Sequence, residues 1–330
     1  MPNKDSITNT FIVSLVLCVV CSLVVSGAAV SLRGIQDQNK LIDRYRNIVA
    51  ASGISEKPVK DLTGAEVEEL FKSRFTKELL DLSTGEYVED PDENYEPKEA
   101  AKNEEFNVDI TGYDIGLAKR EPKTWVYLVK DDSGSVEQVV LPVYGMGLWS
   151  TLYGYVAVDS DFRTVKGLTY YEHAETPGLG GEVDNPLWKE KWVGKQIWAE
   201  GQPRIDDNLR VGVAKGGPPA GMEDYMVDGL SGATITSRGV DSMLKYWFSD
   251  EGFGPYVRKL ASDGGAAGKD EATTVSGDEE ATNEESTSEE ANAEEDESDE
   301  SATDDTEVTQ PNNDSETSEQ KGESDGGSEG

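Results

Sequence analysis

The stretch Asp228-Gly-Leu-Ser-Gly-Ala-Thr-Ile-Thr-Ser-Arg-Gly-Val240 gathers the hydroxyls of Ser231, Thr234, Thr236 and Ser237 behind two glycines, with no histidine or cysteine to activate a nucleophile. Val240, Met243, Leu244 and Trp247 then recur at i, i+3, i+4 and i+7, which predicts a helix over 237–248 with the hydroxyls just ahead of its first turn. A helix amino terminus offers unpaired N–H groups and the positive end of a dipole, so phosphate binds there readily. Gly229 and Gly232 let such a phosphate approach the backbone, and a threonine held against it is placed to become its ester. The plainer alternative is that Thr234, Thr236 and Ser237 are turn and capping residues.

Two further loops carry glycine. In His173-Ala-Glu-Thr-Pro-Gly-Leu-Gly-Gly-Glu182, Gly178, Gly180 and Gly181 allow close backbone approach behind the polar Glu175 and Thr176. That composition suits a loop folding over a flat ligand; a wide turn from strand to helix is the alternative. Tyr144-Gly-Met-Gly-Leu-Trp149 has Gly-x-Gly but no third glycine opening a helix, so the dinucleotide fingerprint fails. His173 is the only histidine and has no companions for a metal, so no metal site is expected.

Several elements must position these loops. Phe11 to Val30 is a run of twenty residues without a charge, long enough to span a hydrocarbon core as a helix. A cleaved signal peptide is the competing reading, but only Lys4 and the amino terminus supply positive charge before the run. Cys18 and Cys21 share a face of this helix; they are half of a thiolate site or simply small apolar residues. Leu32, Ile35, Ile42, Tyr45 and Val49 continue a helical face to a stop at Gly53. Thr63-Gly-Ala-Glu66 has capping-box spacing, and Val67, Leu70, Phe71 and Phe75 follow as an apolar face. The acidic stretch 86–105 reads as a loop.

Strands take over beyond it. Trp125–Lys130 and Val136–Val143 flank the turn residues 131–134, and Leu152–Val158 and Thr164–Tyr171 flank 159–161, two hairpin signals. The expected fold class is α+β: one amino-terminal transmembrane helix, then an antiparallel sheet with flanking helices. The segments are 1–10 before the span, 11–30 the span, 31–105 a helical stalk and packing segment, 106–261 the ligand-binding domain, and 262–330 a disordered acidic tail. Counted from Ala261, the tail has 25 acids against Lys269 and Lys321 and so carries most of the chain's formal charge of -36. Neither the tail nor the remainder has the basic footprint of a nucleic-acid binder.

At Asp228-Gly-Leu-Ser-Gly-Ala-Thr234 the chain resembles the flavin-attachment motif whose final threonine carries FMN through a phosphoester bond. With the cysteine-bearing span, the 173–182 loop, Val211-Gly-Val-Ala-Lys-Gly-Gly-Pro-Pro219 and Asp250-Glu-Gly-Phe-Gly-Pro-Tyr-Val-Arg-Lys-Leu260, it is similar to the NqrC family, the flavin-bearing C subunits of the sodium-translocating NADH:quinone reductases (Nqr), over roughly residues 4–262.

That resemblance implies FMN on Thr234, installed by a separate flavin transferase using FAD. Ser231, Gly232 and Ala233 would shape the phosphate turn; Thr176, Gly178, Leu179 and Gly180, with Glu175, would lie along the flavin. Tyr144, Gly145, Trp149 and Lys215 would be further candidates for the ring's surroundings, and Asp228 would serve recognition by the transferase or its metal. It also implies an inner-membrane subunit of a six-subunit complex that oxidises NADH, reduces ubiquinone and moves sodium, with this chain a one-electron relay, inert alone toward NADH. The flavin domain would face the periplasm. Charge bias points the other way, since Arg33, Lys40, Arg44 and Arg46 follow the span, but long translocated domains escape that rule. The acidic tail departs from the family pattern. The G subunit of an Rnf-type electron-transport complex shares the motif, though the cysteine-bearing span and motif spacing favour the quinone reductase. A non-redox membrane-anchored binding domain is the alternative of a different class.

Overall fold

The computed structural model describes residues 7–131 and 134–262. The disorder expected of 263–330, residues 1–6 and the turn at 132 and 133 lie outside the described residues. Helices are α1 (Ile7–Ser52), α2 (Gly64–Arg74), α3 (Pro97–Ala100), α4 (Pro186–Glu190), α5 (Thr234–Phe248) and α6 (Gly254–Ser262). Strands are β1 (Phe75–Asp81), β2 (Glu86–Tyr87), β3 (Val108–Asp109), β4 (Lys119–Arg120), β5 (Lys123–Lys130), β6 (Val136–Met146), β7 (Thr151–Asp159), β8 (Val165–Glu172), β9 (Gly212–Ala214) and β10 (Met226–Asp228).

α1 is continuous from the apolar run into the stalk and is long and apolar enough to cross a membrane, with none of its apolar window buried by the protein. It stops where Gly53 takes φ 65°, a conformation that costs glycine nothing. Thr63 and Glu66 form the reciprocal capping box at the start of α2, the Thr63 amide donating to Glu66 Oε2 at 2.7 Å.

β2-β1-β5-β6-β7-β8 form one antiparallel sheet, and β9 and β10 pair in parallel beside α5. Both hairpins expected from the turn residues are present, β5–β6 and β7–β8. Residues alternate between two cores because the sheet is covered on both faces. Trp125, Tyr127 and Val129 meet Ile48, Val49 and Phe71 from α1 and α2, while Val126 and Leu128 share a core with Met243, Leu244 and Trp247 from α5.

Three sequence expectations change. The apolar face projected through Phe75 ends at Arg74, and Phe75 opens β1, paired along its length with β5. Phe75 still stacks on Phe71, ring centroids 5.0 Å apart, so the same apolar spacing serves a helix-to-strand junction. Two strands of the sheet, β1 and β2, therefore lie inside the 31–105 segment read as helical, and the 86–105 stretch read as a loop holds β2 and the one-turn helix α3. α5 begins at Thr234 and not near Ser237, so Thr234, Thr236 and Ser237 occupy its first turn; the N-cap is Ala233, whose methyl offers the first-turn amides no acceptor, and the hydroxyls of Thr236 and Ser237 are engaged with Glu175 and Leu230. Finally, α6 gives the Gly254–Ser262 segment a helix with Tyr256, Val257 and Leu260 buried, a periodic pattern too short to stand out in sequence.

α5 presents one face to the sheet. Met243 is fully buried and Ile235 is 53% exposed. Met243→Ala is expected to lower unfolding free energy by about 2–5 kcal/mol, and Ile235→Ala to stay within about 0.5 kcal/mol, both read from urea midpoints at unchanged slope.

Candidate functional site

Three segments distant in sequence meet at the buried carboxylate of Glu175. Its Oε1 accepts from the backbone amides of Trp149 at 2.9 Å and Ser150 at 3.3 Å. Its Oε2 accepts from the Leu148 amide at 3.2 Å and the Thr236 hydroxyl at 2.6 Å. An ionised carboxylate is acceptor-only, so the donors saturate it. Burial alone would raise its pKa, but the Thr236 hydroxyl and the Trp149, Leu148 and Ser150 amides outweigh burial and hold the carboxyl below its ordinary range. Gly180 must be glycine here: a Cβ would lie 2.5 Å from Glu175 Oε2 and 2.6 Å from Thr236 Oγ1. The loop after β8 thus closes over the pair only because it has no side chain at that point.

The hub fixes the surroundings of Thr234. Thr234 is exposed on the first turn of α5. Gly232, at φ 74°, turns the chain into the helix, and the Ser237 hydroxyl accepts from the Leu230 amide at 2.9 Å to hold that turn. On one side lies an open cleft of about 530 Å³ where Asp228, Ser231, Gly232, Thr234, Lys215 and Arg238 line the wall. Leu179 Cδ2 lies close to Gly232, and the Leu148–Trp149 tip, whose amides Glu175 pins, stands exposed. Trp149 is 66% exposed and Leu179 44%. Ala233 is buried and shapes the turn from below.

The other expected residues are placed as follows. Thr176 and Gly178 form the exposed turn that leads to Gly180, the Thr176 carbonyl accepting from the Gly181 amide at 2.9 Å. Asp228 ends β10, and its carbonyl accepts from Trp188 Nε1 at 2.9 Å while its side chain faces the cleft. His173 pairs with Asp184 at 2.8 Å, anchoring the start of the loop. Tyr144 and Gly145 are not brought to this place: Tyr144 gives its hydroxyl to Glu121 in another cavity, and Gly145 packs under Met243. β6 turns successive side chains to opposite faces, which the flat spacing of a glycine motif does not reveal.

Arg238, Thr236 and Leu148 are site residues that sequence reasoning misses. Arg238 lies four residues after Thr234 on a helix, one turn along the same face, and that spacing is the available signal. Nothing local marks Thr236 as a partner of Glu175, 61 residues away.

Because Glu175 titrates lower in the fold than in the unfolded chain, its stabilisation is complete above the ordinary carboxylate range and disappears as pH falls through the lowered native value. Glu175→Gln, an amide that cannot accept from all these donors, is expected to cost about 1–3 kcal/mol near neutral pH. The difference in urea midpoint between the two chains should narrow on acidification below about pH 4; a constant difference across that range would remove the charge from the account.

Comparison with known proteins bears on this geometry. The FMN-binding domain family matches residues 147–249, from the first residue of the pinned loop to the end of α5. The C subunit of the Na(+)-translocating NADH-quinone reductase from Yersinia pestis is 41% identical over 261 residues, covering 78% of this chain and 94% of that one. Its namesake from Vibrio alginolyticus is 44% identical over 260 residues, with 78% and 96% covered. The crystal structure of NqrC from Shewanella oneidensis superposes with a TM-score of 0.60 at 34% identity, covering 69% of this chain and 99% of that one. On this identity and coverage, the chain belongs to the NqrC family, the C subunits of the Na(+)-translocating NADH-quinone reductases.

Proposed function

We propose that this chain carries FMN esterified through its phosphate to Thr234 and serves as a membrane-tethered electron relay within a sodium-translocating NADH:quinone reductase. The observation that carries the reading is the setting of Thr234: an exposed hydroxyl on a helix's first turn, in a cleft rimmed by Lys215 and Arg238, with Leu179 beside Gly232 and with exposed Leu148 and Trp149 on the loop that Glu175 ties to Thr236 of the same turn. FMN is itself divided that way, an anionic phosphate at one end and a flat ring at the other, so the residues fit the group. Lys215, Arg238 and the amides at the start of α5 would hold the phosphate. Leu148, Trp149 and Leu179 would cover the ring, with Glu175 and Thr236 fixing the loop that bears two of them. Bound there, the flavin would supply one-electron exchange between neighbouring centres; position and electronic tuning are the protein's part.

Maturation would need a flavin transferase that moves the FMN moiety of FAD onto the Thr234 oxygen, breaking the pyrophosphate bond of FAD and releasing AMP as the hydroxyl gives up its proton, with Asp228 at the cleft wall as a recognition residue. The other subunits of a six-subunit complex would be the electron-transfer partners, a reading supported by the relatives being reductase subunits. α1 would cross the inner membrane once, with the flavin domain on the periplasmic side. Arg33, Lys40, Arg44 and Arg46 oppose that orientation by charge, and the length of the domain that follows is what overrides them.

Thr234→Ala should fold with a urea midpoint within about 0.5 kcal/mol of the parent, yet show no flavin fluorescence in a denaturing gel after co-expression with a transferase. A fully flavinylated alanine chain would move the ester to Thr236 or Ser237. In the assembled complex the same change should leave NADH able to reduce the upstream centre while quinone reduction and sodium transport stop together, and free FMN should restore neither. Normal coupled turnover without this flavin would end the relay assignment. For topology, a reporter active only in the periplasm, fused after Leu260, should be active; a silent fusion alongside an active cytoplasmic reporter would restore the charge rule.

A further inference from the structure

A second cavity, of about 230 Å³, lies between the foot of α1, α3 and the sheet and shares no lining residue with the cleft at Thr234. Its wall is aromatic. Tyr144 and Tyr153 have ring centroids 5.5 Å apart, Tyr153 and Tyr171 6.1 Å, and Tyr155 stacks on Tyr171 at 5.0 Å. Four cations line it, Arg44, Lys98, Lys102 and Lys119, against the exposed carboxylate of Glu96. Lys98 Nζ lies 3.5 Å from the centroid of the Tyr153 ring.

With the other carboxyl in the cavity, that of Glu121, the acids number two against four cations. Glu121 is 2% exposed and accepts from the Tyr144 hydroxyl. Burial raises its pKa against the opposing influence of that hydroxyl and of Arg120, favouring the neutral acid. A chain with a formal charge of -36 thus encloses a pocket whose net charge is positive. The three lining lysines have counter-ions outside the lining: Lys98 pairs with Glu172 at 2.7 Å, Lys119 with Asp109 at 2.5 Å and Lys102 with Glu99 at 2.8 Å, the acids' side chains being 60%, 73% and 72% exposed. Arg44 reaches Glu96 only at 4.0 Å. Solvent-exposed pairs of this kind contribute little, so an anion entering the cavity can replace them at small cost.

We infer that this cavity binds a small planar aromatic anion, its ring against Tyr153 and Tyr171 and its carboxylate toward Lys98 and Arg44. The space holds one or two fused rings and is below the range of about 300–1,000 Å³ usual for larger ligands. A lipid-soluble ligand reaching it from the bilayer is disfavoured by distance: Arg44 is fourteen residues beyond Val30 on one unbroken helix, about 21 Å along its axis from the end of the apolar run. The inference does not rest on the flavin reading, since no residue of the cavity belongs to the cleft around Thr234.

The test is calorimetric titration of the full chain in detergent with 2-naphthoate, against detergent-matched buffer, with uncharged 2-naphthamide as the comparison. Saturable one-to-one binding with a Kd below about 1 mM is expected, and the amide should bind at least about tenfold more weakly. Lys98→Glu and Tyr153→Leu should each weaken naphthoate by about tenfold or more while keeping the parent's urea midpoint and flavin fluorescence. Glu121→Gln, which imitates the neutral acid, should leave affinity unchanged, and so should Thr234→Ala. No saturable binding, equal affinity in Lys98→Glu, or equal affinity for the amide would overturn the inference. So would naphthoate binding seen only in the flavin-free Thr234→Ala chain, which would give the cavity to the flavin, or tighter binding of an Asp-Trp-Glu peptide, which would make it a protein docking site.

Discussion

A single buried carboxylate sets the geometry of the site. Glu175 satisfies its charge with three successive amides of the 148–150 loop and with the Thr236 hydroxyl on α5, so loop, strand end and helix are fixed relative to one another. A buried anion without donors would be costly, which makes the arrangement nearly all-or-none: withdrawing one segment leaves the charge for the others to satisfy. Gly180 extends the constraint to the loop that covers the pair. The Leu148–Trp149 pair, far from α5 in sequence, is tied to the helix that begins at Thr234 through this one contact network.

The network works only because α5 is itself immobile. Its inner face packs Val240, Met243, Leu244 and Trp247 against the sheet, and Trp247 Nε1 donates to the Tyr144 carbonyl at 2.8 Å, tying the helix to β6. The opposite face of the sheet takes Ile48 and Val49 from the end of α1. Sheet strands covered on both faces read as continuous apolar runs, as β5 does from Thr124 to Val129. The same sheet therefore connects the helix that bears Thr234 to the helix that bears the apolar span.

What can be read from sequence follows from how local each signal is. The two hairpins, the capping box at Thr63 and the stop at Gly53 depend on a few adjacent residues, and all are present. β1 is hidden because Phe75 falls four residues after Phe71, a helical spacing, and only its pairing with β5 some fifty residues later makes it a strand. The hydroxyl cluster is legible as a phosphate-type helix start, yet sequence alone sets the helix three residues late, because hydroxyls ahead of a helix ordinarily cap it. Here Thr236 and Ser237 spend their oxygens on Glu175 and Leu230. Composition points to 173–182 as the glycine-rich loop that faces Thr234, whereas the placement of Tyr144 is illegible because the side a strand residue takes is set by register.

The surroundings of Thr234 bear on why a tether would be used at all. Leu148, Trp149, Leu179 and Ile235 are exposed apolar side chains for which the protein has no packing need, since the core beneath is complete without them. Side chains of that kind hold a flat ring by burial but give little positional specificity, because burial is non-directional. A covalent bond at one end, as proposed for Thr234, would supply the missing direction: with the phosphate fixed at the start of α5, the reach of the ring would be limited to the surface beside that helix start. The affinity demanded of that surface would then fall, as the effective concentration of a tethered ring replaces free binding. A weak, open surface can in that way hold a cofactor permanently and still leave one edge of the ring accessible to partner centres.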